Sequence, residues 1–149
     1  MPSTLLDAKS ADLERFQDAL DAAFGRGHAE YDALFDAPPT GLSVHEIDLD
    51  KVLVRVSRAH QLLLGYSPGH MVGKPASTFI VLQETAERAM NQKLSGTRQL
   101  KPFVRAFRKA DGKPATMLLL DRYLTDASGQ VTGIRTVLTE IPPEVLIGL

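Results

Sequence analysis

Residues 59–74 read AHQLLLGYSPGHMVGK, and this stretch holds the punctuation that orders the rest of the chain. The run Arg58 to Leu64 is expected to be helical, and Gly65 follows where a helix end needs a left-handed residue. Ser67-Pro68 has the chemistry of an N-cap and first helical position, so a second helix is expected to start there. His70 would fall near its third residue, where the positive end of the helix dipole favours a neutral imidazole. A surface or capping role is the default for His70, and a surface or core-edge position is the default for His60.

Towards the N-terminus, Leu6, Leu13, Phe16, Leu20, Ala23 and Phe24 recur at helical spacing among acidic residues, which predicts an amphipathic helix over residues 4–24. Gly25-Arg26-Gly27 should end it, and a shorter helix, His28 to Phe35, should lead into the break Asp36-Ala37-Pro38-Pro39-Thr40-Gly41. Ser43 to Ile47 and Val52 to Val56 are β-prone and separated by the turn tetrad Asp48 to Lys51, a hairpin pattern. Towards the C-terminus, Leu82, Ala86, Ala89, Met90 and Leu94 mark a helix closed by Gly96. Three strands follow, Phe103 to Lys109, Ala115 to Leu124 and Val131 to Ile141, turning at Asp111-Gly112 and at Asp126 to Gly129.

Composition prunes function harder than any motif adds to it. The 149 residues carry 17 basic and 18 acidic side chains, a formal net charge of −1, so no global field draws the chain to nucleic acid or anionic lipid. There is no cysteine, which removes disulfides, CxxC zinc sites, c-type haem attachment and any cysteinyl flavin adduct. No leader-like or spanning apolar segment is visible, so a cytoplasmic location without membrane or nucleic-acid partners is expected. HExxH, GxSxG, GxxxxGK[ST] and GxGxxG are missing, so no catalytic residue and no metal site is expected.

Three passages together resemble the PAS domain family, over about residues 30–141. They are AEYDALFDAPPTGLSVHEIDLDKVLVRVS, AHQLLLGYSPGHMVGK and FRKADGKPATMLLLDRYLTDASGQVTGIRTVLTEI, and the match lies in their order and spacing. The resemblance implies an α+β PAS fold, a five-stranded antiparallel sheet with short helices on one face, here preceded by the N-terminal amphipathic helix. It divides the chain into a dimerisation or capping helix (1–27), a sensor domain (28–141) and a tail or linker (142–149), with no enzyme activity of its own. Family members hold haem, flavin, a small metabolite or nothing. Two departures stand out: Ser57 where the family commonly has asparagine, and Gly69-His70 where it commonly has two acids.

Strand alternation puts Phe103, Arg105 and Phe107 with Met117, Leu119, Ile134, Thr136 and Leu138 on one face, closing over the short helices. The candidate ligand-binding set is therefore Met71, Phe79, Met90, Phe103, Arg105, Met117, Leu119, Ile134 and Thr136. A guanidinium there needs a partner, either a ligand carboxylate or an internal acid such as Asp121, unless the parity is off by one and it meets solvent. The helix before the third strand lacks histidine and the chain lacks tryptophan, so b-type haem and flavin are not expected and the cofactor is left unassigned. The opposite face is apolar too, and something must cover it. The expected interface joins Leu6, Leu13, Phe16, Leu20 and Phe24 to Leu118, Leu120 and Val137, either in a homodimer or as a cap on the same chain.

The sequence-level expectation is thus a sensory and dimerisation module that binds a small, mostly apolar ligand and passes a change to an attached or partner effector such as a histidine kinase, a cyclic-dinucleotide enzyme or a transcriptional regulator. The rival is a ligandless interaction module.

Overall fold

The computed structural model describes residues 4–67, 69–96 and 99–148. Helix α1 (Thr4–Arg26) runs two residues past the expected end, because Gly25 is tolerated inside the helix and Gly27 is the residue that breaks it. Helix α2 (His28–Asp36) follows at once. Strands β1 (Leu42–Asp48) and β2 (Leu53–Val56) form the expected hairpin, then come α3 (Arg58–Leu64), a 3-10 turn (Ala76–Phe79) and α4 (Gln83–Leu94). The chain ends in β3 (Phe103–Arg108), β4 (Pro114–Thr125), β5 (Val131–Glu140) and a 3-10 helix (Pro143–Gly148).

The sheet is five-stranded and antiparallel throughout, in the order β2-β1-β5-β4-β3. Both faces are covered, as the double-sided apolar pattern required: every residue of β5 from Gly133 to Thr139 is buried. On one face Ile47, Leu119, Ile134 and Leu138 meet α3, the 3-10 turn and α4 through Leu64, Phe79 and Met90. On the other, Val44, Leu118, Leu120 and Val137 meet α1 and α2 through Leu13, Phe16, Leu20 and Phe35. The helix that needed a partner thus finds one in its own sheet. Leu13 and Leu20 are 0% exposed, whereas Phe24, expected in the same stripe, is 55% exposed at the α1–α2 corner.

The segment after α3 departs from expectation. Gly65 does adopt the left-handed conformation (φ 84°), with its N–H donating to Gln61 O at 2.8 Å. No helix restarts, however: residues 69–74 run as turns and bends, with Gly69 and Gly73 at φ 81° and 90°. Pro68, the expected first helical residue, lies outside the described residues. His70 is accordingly not at a helix N-terminus, and the dipole argument does not apply to it.

One close approach positions the sheet centre. A Cβ at Gly133 would lie 2.1 Å from the backbone oxygen of Ile47, so only glycine allows β1 and β5 to pair at this point.

Candidate functional site

The space between the sheet and the short helices is a cavity of about 30 Å³, room for a molecule of a few heavy atoms. Of the candidate ligand-binding residues, Met71, Phe79, Met90, Phe103, Arg105, Leu119, Ile134 and Thr136 line it. Met117 is fully buried in the adjoining core and is not part of the lining. His70 and Met71 part company here. Met71 is 1% exposed and faces inward, whereas His70 lies outside, its ring stacked on Tyr66 (centroids 5.2 Å apart) and 3.1 Å from Lys74 Nζ at Nε2.

Sequence reasoning missed the polar half of the lining: His45, His60, Lys93 and Asp121. His60, expected at the surface or the core edge, is 0% exposed. Ser57 caps α3, its Oγ accepting from His60 N at 3.3 Å and from Val44 N at 3.1 Å, so one hydroxyl ties the helix to β1 where the family commonly has asparagine. That places His60 over β1, with its Nδ1 3.3 Å from Ser43 Oγ and its ring 5.0 Å from that of His45. His45 Nδ1 and His60 Nε2 are buried without a hydrogen-bond partner among the described residues. Such orphans are uncommon in a packed interior, and in a cavity wall they mark atoms that a guest can satisfy.

Both imidazoles are held neutral. Burial lowers His45 to about 4 despite the nearby Asp121 charge, and burial followed by the neighbouring His45 pushes His60 well below the usual histidine range. Asp121 is satisfied from within: Lys93 Nζ lies 2.6 Å from Oδ2, and Thr136 Oγ1 donates to Oδ1 at 2.6 Å. Arg105 is therefore not the partner of Asp121. Its guanidinium sits 5.2 Å from the Phe103 ring centre, half buried, and desolvation lowers its pKa with Asp121 acting in the opposite sense.

Sheet register then links this cavity to α1. His45, Thr136 and Asp121 stand opposite one another on β1, β5 and β4, forming one rung that faces inward. The next rung, Arg55, Glu46, Arg135 and Arg122, faces the other way. It is the docking rail for the N-terminal helices. Arg122 reaches Glu14, Asp18 and Asp21 at 2.9, 2.8 and 2.7 Å, and Arg55 reaches Asp32 at 2.8 Å. Arg135 is buried, donating Nε–H to Gln17 Oε1 at 2.8 Å and pairing with Asp21, while Gln17 Nε2 donates to Leu120 O and Arg135 O. Tyr31 donates to Glu46, and burial with that carboxylate pushes the phenol up to about 12.

The same geometry bears on cofactors. Pockets that enclose drug-sized ligands measure roughly 300–1,000 Å³. The side chains present leave no such room for a haem or an isoalloxazine ring, and there is no cysteine for an adduct. Among the described residues no group of three or more His, Asp or Glu is placed to hold a metal ion. No described helix is long and apolar enough to cross a membrane.

Comparison with solved structures shows the same architecture elsewhere. The chain is similar to the PAS domain of an HTR-like protein from Haloarcula marismortui (17% identity, TM-score 0.62, 86% of this chain and 99% of that one). It is also similar to the PAS domain of a Colwellia psychrerythraea protein (15%, TM-score 0.65, 76% and 95%) and to a Rhodobacter sphaeroides LOV protein (17%, TM-score 0.62, 74% and 64%). At these identities the likeness is one of fold. No curated protein matches the chain. The family description "PAS fold" matches residues 29–141, the span that carries the sheet, the short helices and the cavity, and the chain belongs to the PAS family.

Proposed function

We propose that this PAS domain is a cytoplasmic sensory module whose cavity takes a small ligand and whose N-terminal helix carries the resulting change to an effector, attached or in a partner protein. One observation carries the reading: two buried imidazole nitrogens without partners line a cavity whose inner rung, His45–Thr136–Asp121, adjoins the rung that docks α1. Asp121 and Arg122 are consecutive on β4, as are Arg135 and Thr136 on β5, so a ligand that pulls on the inner pair tilts the backbone that sets the outer pair. The receiving element holds on partly through exposed ion pairs, which are individually weak, so a small displacement changes its docking.

Homodimerisation is part of the proposal. With Leu13, Phe16 and Leu20 buried on the chain's own sheet, the contact would fall to the residues α1 leaves outside, Leu5 and Phe24. The rival, an interaction module without a ligand, draws support from the small cavity volume.

Thr136→Val cuts the inner rung at Asp121 and leaves the outer rung chemically intact. Hydrogen exchange is expected to show faster exchange of the α1 amides in this variant than in the unmodified chain. Unchanged α1 exchange with altered exchange around the cavity would show that the two rungs are not coupled.

A further inference from the structure

The chemistry of the guest follows from which polar atoms around the cavity are left over. Of the three charged side chains in its wall, Lys93 and Asp121 neutralise each other at 2.6 Å. Arg105 remains, half buried, with no hydrogen bond or ion pair to any described residue and only the Phe103 ring beneath it. A desolvated guanidinium with an open fork is complementary to a planar anion bearing two acceptor oxygens.

The imidazoles add donors of the same sense. When the Ser43 hydroxyl donates to His60 Nδ1, the proton of the neutral ring lies on Nε2, the buried atom left without a partner. His45 Nδ1, likewise buried and unpartnered, can carry its ring proton as well. Arg105 and the two rings then present three donor groups, while both Asp121 oxygens are taken and the lone pair of His45 Nε2 is the acceptor that a neutral His45 keeps. The rest of the lining, Met71, Phe79, Leu119 and Ile134 among it, is apolar.

We propose that the cavity binds a small aliphatic monocarboxylate, its carboxylate gripped by Arg105 and by N–H groups of His60 and His45, and its alkyl part lying among Met71, Phe79 and Ile134. The proposal rests on the ligand-sensing reading above and names the class of ligand. A cation would face uncompensated positive charge, and a bulky acid would exceed a cavity of about 30 Å³. Uncharged isosteres would leave the Arg105 charge unpaired.

The test is an NMR titration that follows the histidine side-chain nitrogens of the full chain, with sodium propionate and its uncharged isostere propionamide as probes. Propionate is expected to shift the His45 and His60 signals saturably, and to bind at least about tenfold more tightly than the amide. Arg105→Gln should remove most of that preference while leaving amide binding unchanged. Arg105→Lys should fall between them, because the charge stays and the fork is lost. Arg105 sits half buried on the edge strand β3, and an unchanged urea midpoint verifies that the variants fold. Equal affinity for both probes, or propionate binding indifferent to Arg105→Gln, overturns the carboxylate assignment and leaves a ligand cavity in place. No response to either probe overturns the assignment too, and the wider sensor reading is then judged separately by whether the purified protein carries a bound molecule.

Discussion

At the scale of single residues, the buried imidazoles make the sharpest demands. In the unfolded chain they titrate near the ordinary histidine value of 6.5, whereas in the folded chain His45 stays neutral down to about 4 and His60 is also depressed. Below pH 6.5 the unfolded state therefore binds more protons than the folded one, so their contribution to stability is full above that pH and is lost as pH falls towards 4. Between pH 7 and pH 5 the His45 ring should contribute roughly 2 kcal/mol of destabilisation, with His60 acting in the same direction, read from urea unfolding. His45→Gln should flatten the profile by about one ring's share, and a wild-type profile that is already flat over this range contradicts the burial. Gly133 makes a second demand: Gly133→Ala drives a Cβ into the Ile47 carbonyl and should cost more than about 3 kcal/mol or abolish folding, by thermal denaturation. Neither site was legible in the sequence. His60 read as a surface or core-edge residue of a short helix and His45 carried no signal of its own, and only the Ser57 cap and the β1 register bring their rings to 5.0 Å. Arg105, flanked by two phenylalanines at strand spacing, was legible because the period of two assigned its face.

At the scale of elements, α1 is held by an apolar stripe and a buried polar lock, and the two should fail differently. Phe16→Ala removes a ring that is 2% exposed and should cost roughly 3–5 kcal/mol. Gln17→Leu keeps the volume but removes the acceptor of the buried Arg135 Nε–H and the donor to two backbone carbonyls, leaving the Arg135 side chain with Asp21 and the Gln17 backbone oxygen, and should cost roughly 2–3 kcal/mol. Arg122→Ala, which breaks only partly exposed pairs, should cost under about 1 kcal/mol by the same urea assay. A Gln17→Leu variant as mild as Arg122→Ala would mean that the lock is not made as described. The stripe itself was readable from the heptad-like recurrence of Leu13, Phe16 and Leu20, and strand parity showed an apolar outer face waiting for it. The charged rung was not, because Arg55, Glu46, Arg135 and Arg122 lie on four different strands and become neighbours only once the register exists. The failed helix after Ser67 has a local cause. Gly69 and Gly73 take left-handed conformations, and the Gln61 side chain accepts from Gly69 N at 2.8 Å, which holds the loop in turns.

At the scale of the whole molecule, the order of helix, hairpin, short helices and three long strands was readable from turn chemistry and periodicity, and it specifies the five-stranded sheet once antiparallel hairpins are assumed. What covers each face could not be read, since an amphipathic helix fits its own sheet and a partner's equally well. Removing residues 1–26 exposes Leu118, Leu120 and Val137, so the truncated chain should self-associate, and light scattering that shows a well-behaved species of unchanged stoichiometry would count against α1 as the cover. Phe24→Glu tests the other surface: a smaller mass than the unmodified chain supports a contact at the α1–α2 corner, and an unchanged dimer mass places the contact elsewhere. A sensor needs the cavity to be a place for a guest. Native mass spectrometry of the gently purified chain tests this most directly. The expected result is a mass above that of the polypeptide by one small organic molecule, lost when Arg105→Gln and His60→Leu are combined. A bare polypeptide mass for the unmodified chain, identical to that of the double variant, would contradict the sensor reading and leave an interaction module with a filled core.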